Sequence, residues 1–483
     1  MNPYLVLGIV IGYFLILIGI SWLTSRKADS QTFFTGNRKS PWYLVAFGMV
    51  GATLSGVTFI SVPGEVGNSA FSYLQFVFGN IVGFWIVAAI LLPMYYRLNL
   101  ISIYSFLEQR FGYYSHKTGS FFFLISKLIG AAFRLFLVAG VLQIAFFDAF
   151  KIPFALTVTV TIGLIWVYTF RGGIKTIVWT DTLQTLFLVS AVILTIIAIS
   201  KSLDWNSITF VREIRNDPNS QIFFWDWRSC DYFFKQFIAG MFITIVVVGM
   251  DQDMMQKNLT CKNIKDAQKN MVVFSFSFLV TVFLFLCLGA MLYIYANQAG
   301  VAIPESSDDL YPLLALNYFG LPVGIAFLLG IVAAAYSSAD SALTALTTSF
   351  SIDFLNIEKY DEAKRQKIKR WSHLMFSVIL IIVIIVFEAI NNESIVVAVF
   401  RVAGYTYGPI LGLFVFGIYS KRKVNDKWVP LVALVSPVIC YFVSKYSSAI
   451  FNGYEFGFEL LILNGLITIT GLQLISKKYV IEN

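Results

Sequence analysis

Long apolar runs recur along the whole chain, and they constrain its fold more than any other feature. Because a helix of about 20 apolar residues crosses the hydrocarbon core of a bilayer, each run predicts one transmembrane span. Thirteen spans are predicted, at residues 4–23, 42–62, 73–95, 121–147, 153–170, 176–200, 233–251, 271–295, 321–350, 373–388, 394–418, 428–445 and 457–475. Since 58% of the residues are hydrophobic and only 13% are charged, a soluble core could not be covered with polar surface. The chain is therefore predicted to be an all-α membrane protein.

Basic residues collect in alternate loops, as cytoplasmic loops require. The loop after span one holds Arg26 and Lys27, and the loop after span seven holds Lys257 and Lys262. This pattern places the N-terminus outside and the C-terminus in the cytoplasm of a multi-pass cell-membrane protein. The net charge of +8 then indicates topology, and no nucleic-acid partner is expected. The longest loop, about 201–232, is predicted to be irregular, so the whole chain 1–483 forms one transmembrane domain surrounded by lipid.

Span two has glycine and hydroxyl residues at its middle, where a helix facing lipid would carry leucine. The segment runs from Ala46 to Gly64 and includes Gly51, Ser55 and Thr58. A helix broken at mid-membrane is tolerated only where its freed carbonyls line a cavity or hold an ion. Close helix packing through small residues would explain the same composition, and the segment by itself favours neither interpretation.

Span nine carries a stripe of oxygen-bearing side chains. Ser337, Ser338, Asp340 and Ser341 occupy one side of the helix, and their oxygens suit a small hard cation. A carboxylate at mid-span costs roughly 2.5–3.5 kcal/mol on insertion scales, so Asp340 requires a partner or a function. The alternative is that the serines bond their own backbone while Asp340 pairs with a basic side chain.

Three further charged residues within predicted spans are candidates for function. Asp181 lies near the start of span six, where it is either functional or a charge at a helix end. Lys127 and Arg134 lie seven residues apart on one face of span four. The guanidinium of Arg134 fits a carboxylate, which could belong to a solute or to a protein aspartate.

At these residues the chain resembles the sodium/solute symporter family over nearly its whole length. Gly172-Gly173, Trp179-Thr180-Asp181 and Gln184 resemble one signature of that family, and the alanine-rich run into Ser337-Ser338 resembles its sodium-site helix. The resemblance implies a LeuT-type inverted repeat of five plus five helices. This core would cover roughly 42–418, with extra helices at 4–23, 428–445 and 457–475.

The resemblance also implies cation sites. The main sodium ion would be held by the carbonyls of Gly51, Leu54 and Ala334 and by the hydroxyls of Ser337 and Ser338. Bacterial sialic acid symporters of the family have a second sodium site, which here would use Ser337 with three further residues, Asp181, Asp340 and Ser341. Because Asp340 stands where a serine is expected, this carboxylate could tighten sodium binding or carry a proton, so the number of ions stays open.

For the solute, the resemblance to sialic acid symporters implies a site formed by Ser55, Thr58 and Arg134, with Gln75 or Asn80 of span three. The apolar stretch 243–248 departs from the polar groups that the family's galactose members place there. The expected function is sodium-coupled import of a small organic solute by a monomer working by alternating access, with a carboxylate-bearing solute such as a sialic acid favoured. The alternatives are sodium- or proton-coupled symport of a sugar, an amino acid or a vitamin.

A sensor and a membrane enzyme are the competing classes. No output domain, no metal-ligand cluster and no nucleophile with a base and an orienting group can be recognised in the sequence. The chain is therefore expected not to be an enzyme, with no catalytic residues and with Na+ as its co-transported ion.

Overall fold

Nearly all of the chain is helical in the computed structural model, which describes residues 3–25, 29–145, 147–170, 172–390, 395–451, 454 and 456–477. The strands β1 (Lys423–Val424) and β2 (Ser476–Lys477) form one short antiparallel pair. The α-helices are α1 (Pro3–Ser25), α2 (Ser30–Thr35), α3 (Trp42–Thr53), α4 (Gly56–Ser69), α5 (Tyr73–Ile86), α6 (Leu92–Arg97), α7 (Ser105–Arg110), α8 (Tyr113–Ala145), α9 (Phe154–Thr169), α10 (Ile174–Ser202), α11 (Ser207–Asn216), α12 (Phe233–Val247), α13 (Gln252–Asn258), α14 (Ile264–Ala299), α15 (Leu310–Asn317), α16 (Gly320–Ser349), α17 (Glu362–Ile390), α18 (Ile395–Tyr419), α19 (Val429–Lys445), α20 (Ser447–Ile450) and α21 (Leu460–Leu474).

Candidate membrane spans account for most of these helices. Within the described residues, nine helical runs are long and apolar enough to cross a membrane, and the number rises to eleven if each of two bent helix pairs counts as one span. The shorter apolar helices α9 and α21 occupy the segments predicted for spans five and thirteen. The all-helical membrane architecture is confirmed, whereas the count of thirteen spans stays a prediction.

The two bent pairs lie five predicted spans apart. The α3–α4 pair bends by 57° and the α12–α13 pair by 72°. Each second half begins with a side-chain cap, since the Ser55 hydroxyl accepts from the Thr58 N–H and the Asp251 carboxylate accepts from the Asp253 N–H. These caps satisfy N–H groups that a helix start would otherwise leave unpaired in the membrane.

The segment 201–232 differs from its prediction as an irregular loop, because it contains the helix α11. The Asn206 side chain caps this helix by accepting from the Thr209 N–H at 2.8 Å. Ile214 is buried while the charged Arg212 and Arg215 lie toward solvent. The helix is amphipathic and carries too many charges to resemble a span, which is why a search for apolar runs did not find it.

Helices α5 and α12 touch through their backbones. A methyl group on Gly79 would collide with the carbonyl oxygen of Phe237, and one on Gly83 would lie 2.7 Å from the carbonyl oxygen of Met241. From the other side, a methyl group on Gly240 would collide with the Phe76 carbonyl. Small residues thus bring the two helices together more closely than any side chain would permit.

This contact gives a stability prediction. Gly79→Ala should lower the free energy of unfolding by about 1–3 kcal/mol or more, because the added methyl group meets backbone that cannot move aside. Gly163→Ala on α9 is the matched control, since no atom lies within 4 Å of its added methyl group, and its effect should stay within about 1 kcal/mol. Thermal unfolding of the two variants in one detergent would measure both, and equal stabilities would contradict the close approach of α5 and α12.

Candidate cation and solute site

The break between α3 and α4 leaves backbone oxygens free at the middle of the bent helix pair. The Ser55 N–H donates to the Thr53 carbonyl at 3.1 Å, so it does not bond Gly51, its partner in a continuous helix. The Thr58 N–H likewise donates to the Ser55 hydroxyl at 3.5 Å and not to the Leu54 carbonyl. The carbonyls of Gly51 and Leu54, both predicted as sodium ligands, therefore lack the bonds of an intact helix, and both residues are buried.

Helix α16 passes beside this break with its serine stripe buried. A methyl group on Gly56, at the start of α4, would lie 3.9 Å from the backbone nitrogen of Ala335. Ala334, Ser337 and Ser338 are all at most 3% exposed. The Ser338 hydroxyl has no hydrogen-bond partner among the described residues, although a buried hydroxyl normally has one. An unpaired oxygen next to a broken helix is the donor that a small cation requires.

Asp181 on α10 joins this stripe to a buried lysine. Its Oδ1 accepts from the Ser337 hydroxyl at 2.6 Å, and its Oδ2 lies 2.8 Å from Nζ of Lys257 on α13. The two side chains form a buried ion pair. Asp181 is held close to α3 as well, because a methyl group on Gly48 would lie 3.0 Å from its Cβ.

Asp340 has its own partners. The Tyr168 hydroxyl donates to its Oδ2 at 2.8 Å, and the Ser341 hydroxyl donates to its Oδ1 at 3.3 Å. All three residues are buried. The requirement for a partner that the sequence predicted is thus met by hydroxyl donors, and Asp340 forms no ion pair among the described residues.

A cavity beside the break brings together four of the five residues predicted to bind the solute. Ser55, Thr58, Asn80 and Arg134 line it, together with Thr244 of α12. Arg134 also lines a neighbouring cavity that reaches Lys127 and Tyr407. Neither a hydrogen bond nor a salt bridge from Arg134 occurs within the described part of the chain, so its guanidinium is available to a solute.

Gln75 lies apart from this cavity. Its amide nitrogen donates to the Asp231 carbonyl at 2.9 Å and its amide oxygen accepts from the Phe224 N–H at 3.1 Å. These bonds tie α5 to the segment before α12. The side chain is buried and fixes this segment, so the structure does not bring it to the other predicted residues.

Lys127 has two carboxylate partners, unlike Arg134. Its ammonium lies 3.2 Å from Asp251 and 2.7 Å from Asp253, and the Tyr407 hydroxyl donates to Asp251 at 2.5 Å. Asp253 in turn lies 3.9 Å from Lys257. Charges of alternating sign therefore run from the solute cavities to the serine stripe of α16.

Lys257 was predicted to lie in a loop, but the structure places it on the helix α13. Its side chain is 1% exposed, because α13 turns back into the protein at the second helix break and carries the ammonium to Asp181. Asp251 and Asp253 were missed for the same reason. The sequence does contain a signal, since two acids lie four and six residues before this lysine at the end of an apolar span.

Two broken helices five predicted spans apart, facing a helix with a buried stripe of serine and aspartate oxygens, are the arrangement of a secondary transporter of the LeuT type. The chain belongs to the sodium:solute symporter family, whose profile matches residues 33–427. It is a sodium-coupled membrane transporter of a small solute and not an enzyme. The family and the inverted-repeat fold expected from the sequence are thereby confirmed.

Relatives with known activities match most of the chain. The sodium/sialic acid symporter SiaT of Proteus mirabilis is 26% identical over 468 residues, which cover 91% of this chain and 89% of the relative. NanT of Aliivibrio fischeri, also a sodium/sialic acid symporter, is 26% identical over 437 residues, covering 86% and 83%. The human sodium/iodide cotransporter is 22% identical over 417 residues, covering 81% and 62%.

Solved structures share the fold. A substrate-bound, outward-open sodium-coupled sialic acid symporter superposes with a TM-score of 0.82 at 20% identity, covering 98% of this chain and 99% of its own. Mhp1, a nucleobase-cation-symport-1 family transporter, superposes with a TM-score of 0.53 at 12% identity, covering 92% and 93%.

The different surroundings of the two basic residues on α8 give a prediction. Lys127→Met should lower the free energy of unfolding by about 3–5 kcal/mol, because it leaves the buried Asp251 without a counter-charge and Asp253 with only Lys257 at 3.9 Å. Arg134→Met should change it by less than about 1 kcal/mol, because no internal partner is lost. Thermal unfolding of both variants without solute would measure the difference. A larger loss from Arg134→Met would indicate an internal ion pair in place of a solute contact.

Proposed function

We propose that the chain imports a carboxylate-bearing solute, favouring a sialic acid, together with sodium bound between the α3–α4 break and α16. The carbonyls of Gly51, Leu54 and Ala334 and the hydroxyls of Ser337 and Ser338 are the proposed ligands. The observation that carries this proposal is the buried Ser338 hydroxyl without a partner in the described residues. Uncharged oxygens replace the water shell of sodium while leaving its release easy.

The same geometry supports a coupling mechanism. Sodium in this position bridges a broken helix and an unbroken one, so it stabilises the conformation in which the two lie together. Ser55 and Thr58, beside the proposed sodium ligand Leu54, line the solute cavity. Binding of sodium therefore organises part of the solute site, and the solute must strengthen sodium binding by the same factor.

Arg134 is the proposed partner of the solute carboxylate. A guanidinium can donate two parallel hydrogen bonds to a carboxylate, and Asn80, Ser55 and Thr58 add polar groups suited to hydroxyl or amide substituents. The sialic acid transport named for two relatives supports this solute class. The second sodium site predicted at Asp181, Asp340 and Ser341 would share Ser337 with the main site.

The proposed function also requires a domain arrangement and a topology. The chain is one transmembrane domain with an inverted-repeat core at roughly 42–418 and extra helices at 4–23, 428–445 and 457–475. Its N-terminus lies outside and its C-terminus in the cytoplasm, as the basic loops indicate. It works as a monomer, since the proposed cation and solute ligands all come from a single chain.

The sodium assignment is tested by removing one hydroxyl. Ser338→Ala should lower sodium affinity by about ten- to hundredfold, the effect of losing one hydrogen-bond-strength contact to a charge. Ser351→Ala is the matched control, because this hydroxyl is also buried without a partner in the described residues but lies roughly 20 Å further along the same helical run. Sodium titration of thermal unfolding, at constant ionic strength with choline, measures both variants. Equal sodium affinity in the two would contradict the site.

The solute assignment is tested in proteoliposomes with radiolabelled N-acetylneuraminic acid. Arg134→Met should lower sodium-driven uptake by about a hundredfold or more, because two charge-assisted hydrogen bonds are lost. Sodium stabilisation of the purified variant should be retained. Full uptake by the variant would remove Arg134 from the site, and failure of the wild type to transport this acid would exclude the favoured solute.

A further inference from the structure

We propose that the Lys257 ammonium is a built-in cation that occupies the place of a second sodium ion, so that one sodium accompanies each solute. This inference rests on the proposed sodium site at the α3–α4 break and specifies its stoichiometry. It begins from a buried lysine on α13 that lies 2.8 Å from the Asp181 carboxylate.

The carboxylate oxygens available for a second cation are already engaged. On Asp181, Oδ1 accepts from Ser337 and Oδ2 contacts Lys257. On Asp340, Oδ2 accepts from Tyr168 and Oδ1 accepts from Ser341. A sodium ion bound here would have to share these oxygens with their present partners and approach the Lys257 ammonium, whereas the proposed main site already offers an unpaired hydroxyl on Ser338.

Electrostatics favours the lysine over a second ion. A sodium ion sharing the Asp181 carboxylate would lie within about 4 Å of the ammonium, and repulsion at an effective dielectric constant of 20 would weaken its binding by roughly a thousandfold. Asp253, at 3.9 Å, adds a second carboxylate to the surroundings of Lys257. The lysine thus supplies the positive charge that Asp181 requires, and it cannot diffuse away.

The position of Lys257 in the fold gives this cation a further property. Its helix α13 follows the second break, while Asp181 lies on α10 and reaches α16 through Ser337. A mobile sodium ion at Asp181 would bind and leave in each transport cycle, whereas the tethered ammonium links the three helices permanently. Only the ion at the α3–α4 break then responds to the sodium gradient.

The alternative is that Lys257 only fixes α13 to α10. Both roles predict loss of stability when the lysine is replaced, so stability alone does not separate them. The number of sodium ions bound does separate them, because a purely structural pair leaves no second sodium site when it is removed.

The test is a sodium titration of thermal unfolding, with choline chloride maintaining ionic strength and without solute. The measured slope is that of the logarithm of the unfolding equilibrium constant against the logarithm of the sodium concentration, at saturating sodium. For the wild type this constant should fall about tenfold for each tenfold rise in sodium, as expected when the folded protein binds one ion. For Lys257→Gln the unfolding equilibrium constant should fall about a hundredfold for each tenfold rise in sodium, as expected when two ions bind. Lys257→Arg should keep the slope of one. The double variant Lys257→Gln with Asp181→Asn should again show the slope of one bound ion, because the Asp181 carboxylate that would hold the second ion has been removed.

Each outcome of the sodium titration either supports or overturns the proposed single sodium ion. A slope of two for the wild type, or a slope of one for Lys257→Gln, would overturn the proposal while leaving the main sodium site intact. No sodium dependence in any variant would instead refute the proposed function. If Lys257→Gln does not fold, the wild-type slope and the ratio of labelled sodium to labelled N-acetylneuraminic acid taken up by wild-type proteoliposomes still distinguish one ion from two.

Discussion

The hydrocarbon core of a membrane cannot hydrogen-bond a peptide group, and the organisation of this protein depends on that constraint. Continuous helices satisfy it without further help, which accounts for the long, largely apolar elements such as α10 and α14. The two helix breaks are the exceptions, and each is stabilised by a cap, from Ser55 in one and Asp251 in the other. At the second break the hydroxyls of Tyr95 and Tyr104 donate to the carbonyls of Gly249 and Met250. At the first break the carbonyls of Gly51 and Leu54 lack the bonds of an intact helix, and the proposed cation is held there.

Buried charged side chains form a chain in which each has a neighbour of opposite sign. Lys127, Asp253, Lys257 and Asp181 follow one another in space with alternating sign, at separations of 2.7, 3.9 and 2.8 Å. Each charge has an opposite neighbour, so removing any one leaves another uncompensated. Arg134 forms no ion pair in the described residues, although it comes from the same helix as Lys127. This contrast, more than its mid-span position, distinguishes a residue available to a ligand from a structural one.

The sequence indicated candidate functional residues where a polar or charged side chain lies in an apolar segment. Ser55 among glycines, Asp340 among alanines and Arg134 in an apolar helix are each costly unless used, and the structure brings all three to breaks, buried networks or cavities. It did not predict the role of a residue whose type is common at its position. Lys257 follows an apolar span, as cytoplasmic lysines do, and only the 72° bend turns it inward. Gln75 resembled a solute ligand because a polar residue in a span gives no indication of whether its partner is a solute or a backbone carbonyl.

The glycine contact between α5 and α12 has a consequence for motion. Where two helices touch through main-chain atoms, no side chain lies between them that could change rotamer and let one slide past the other. Gly79, Gly83 and Gly240 therefore hold α5 and α12 together as one unit. A rearrangement that moves the two helices together disturbs less of this main-chain packing than one that slides them past each other.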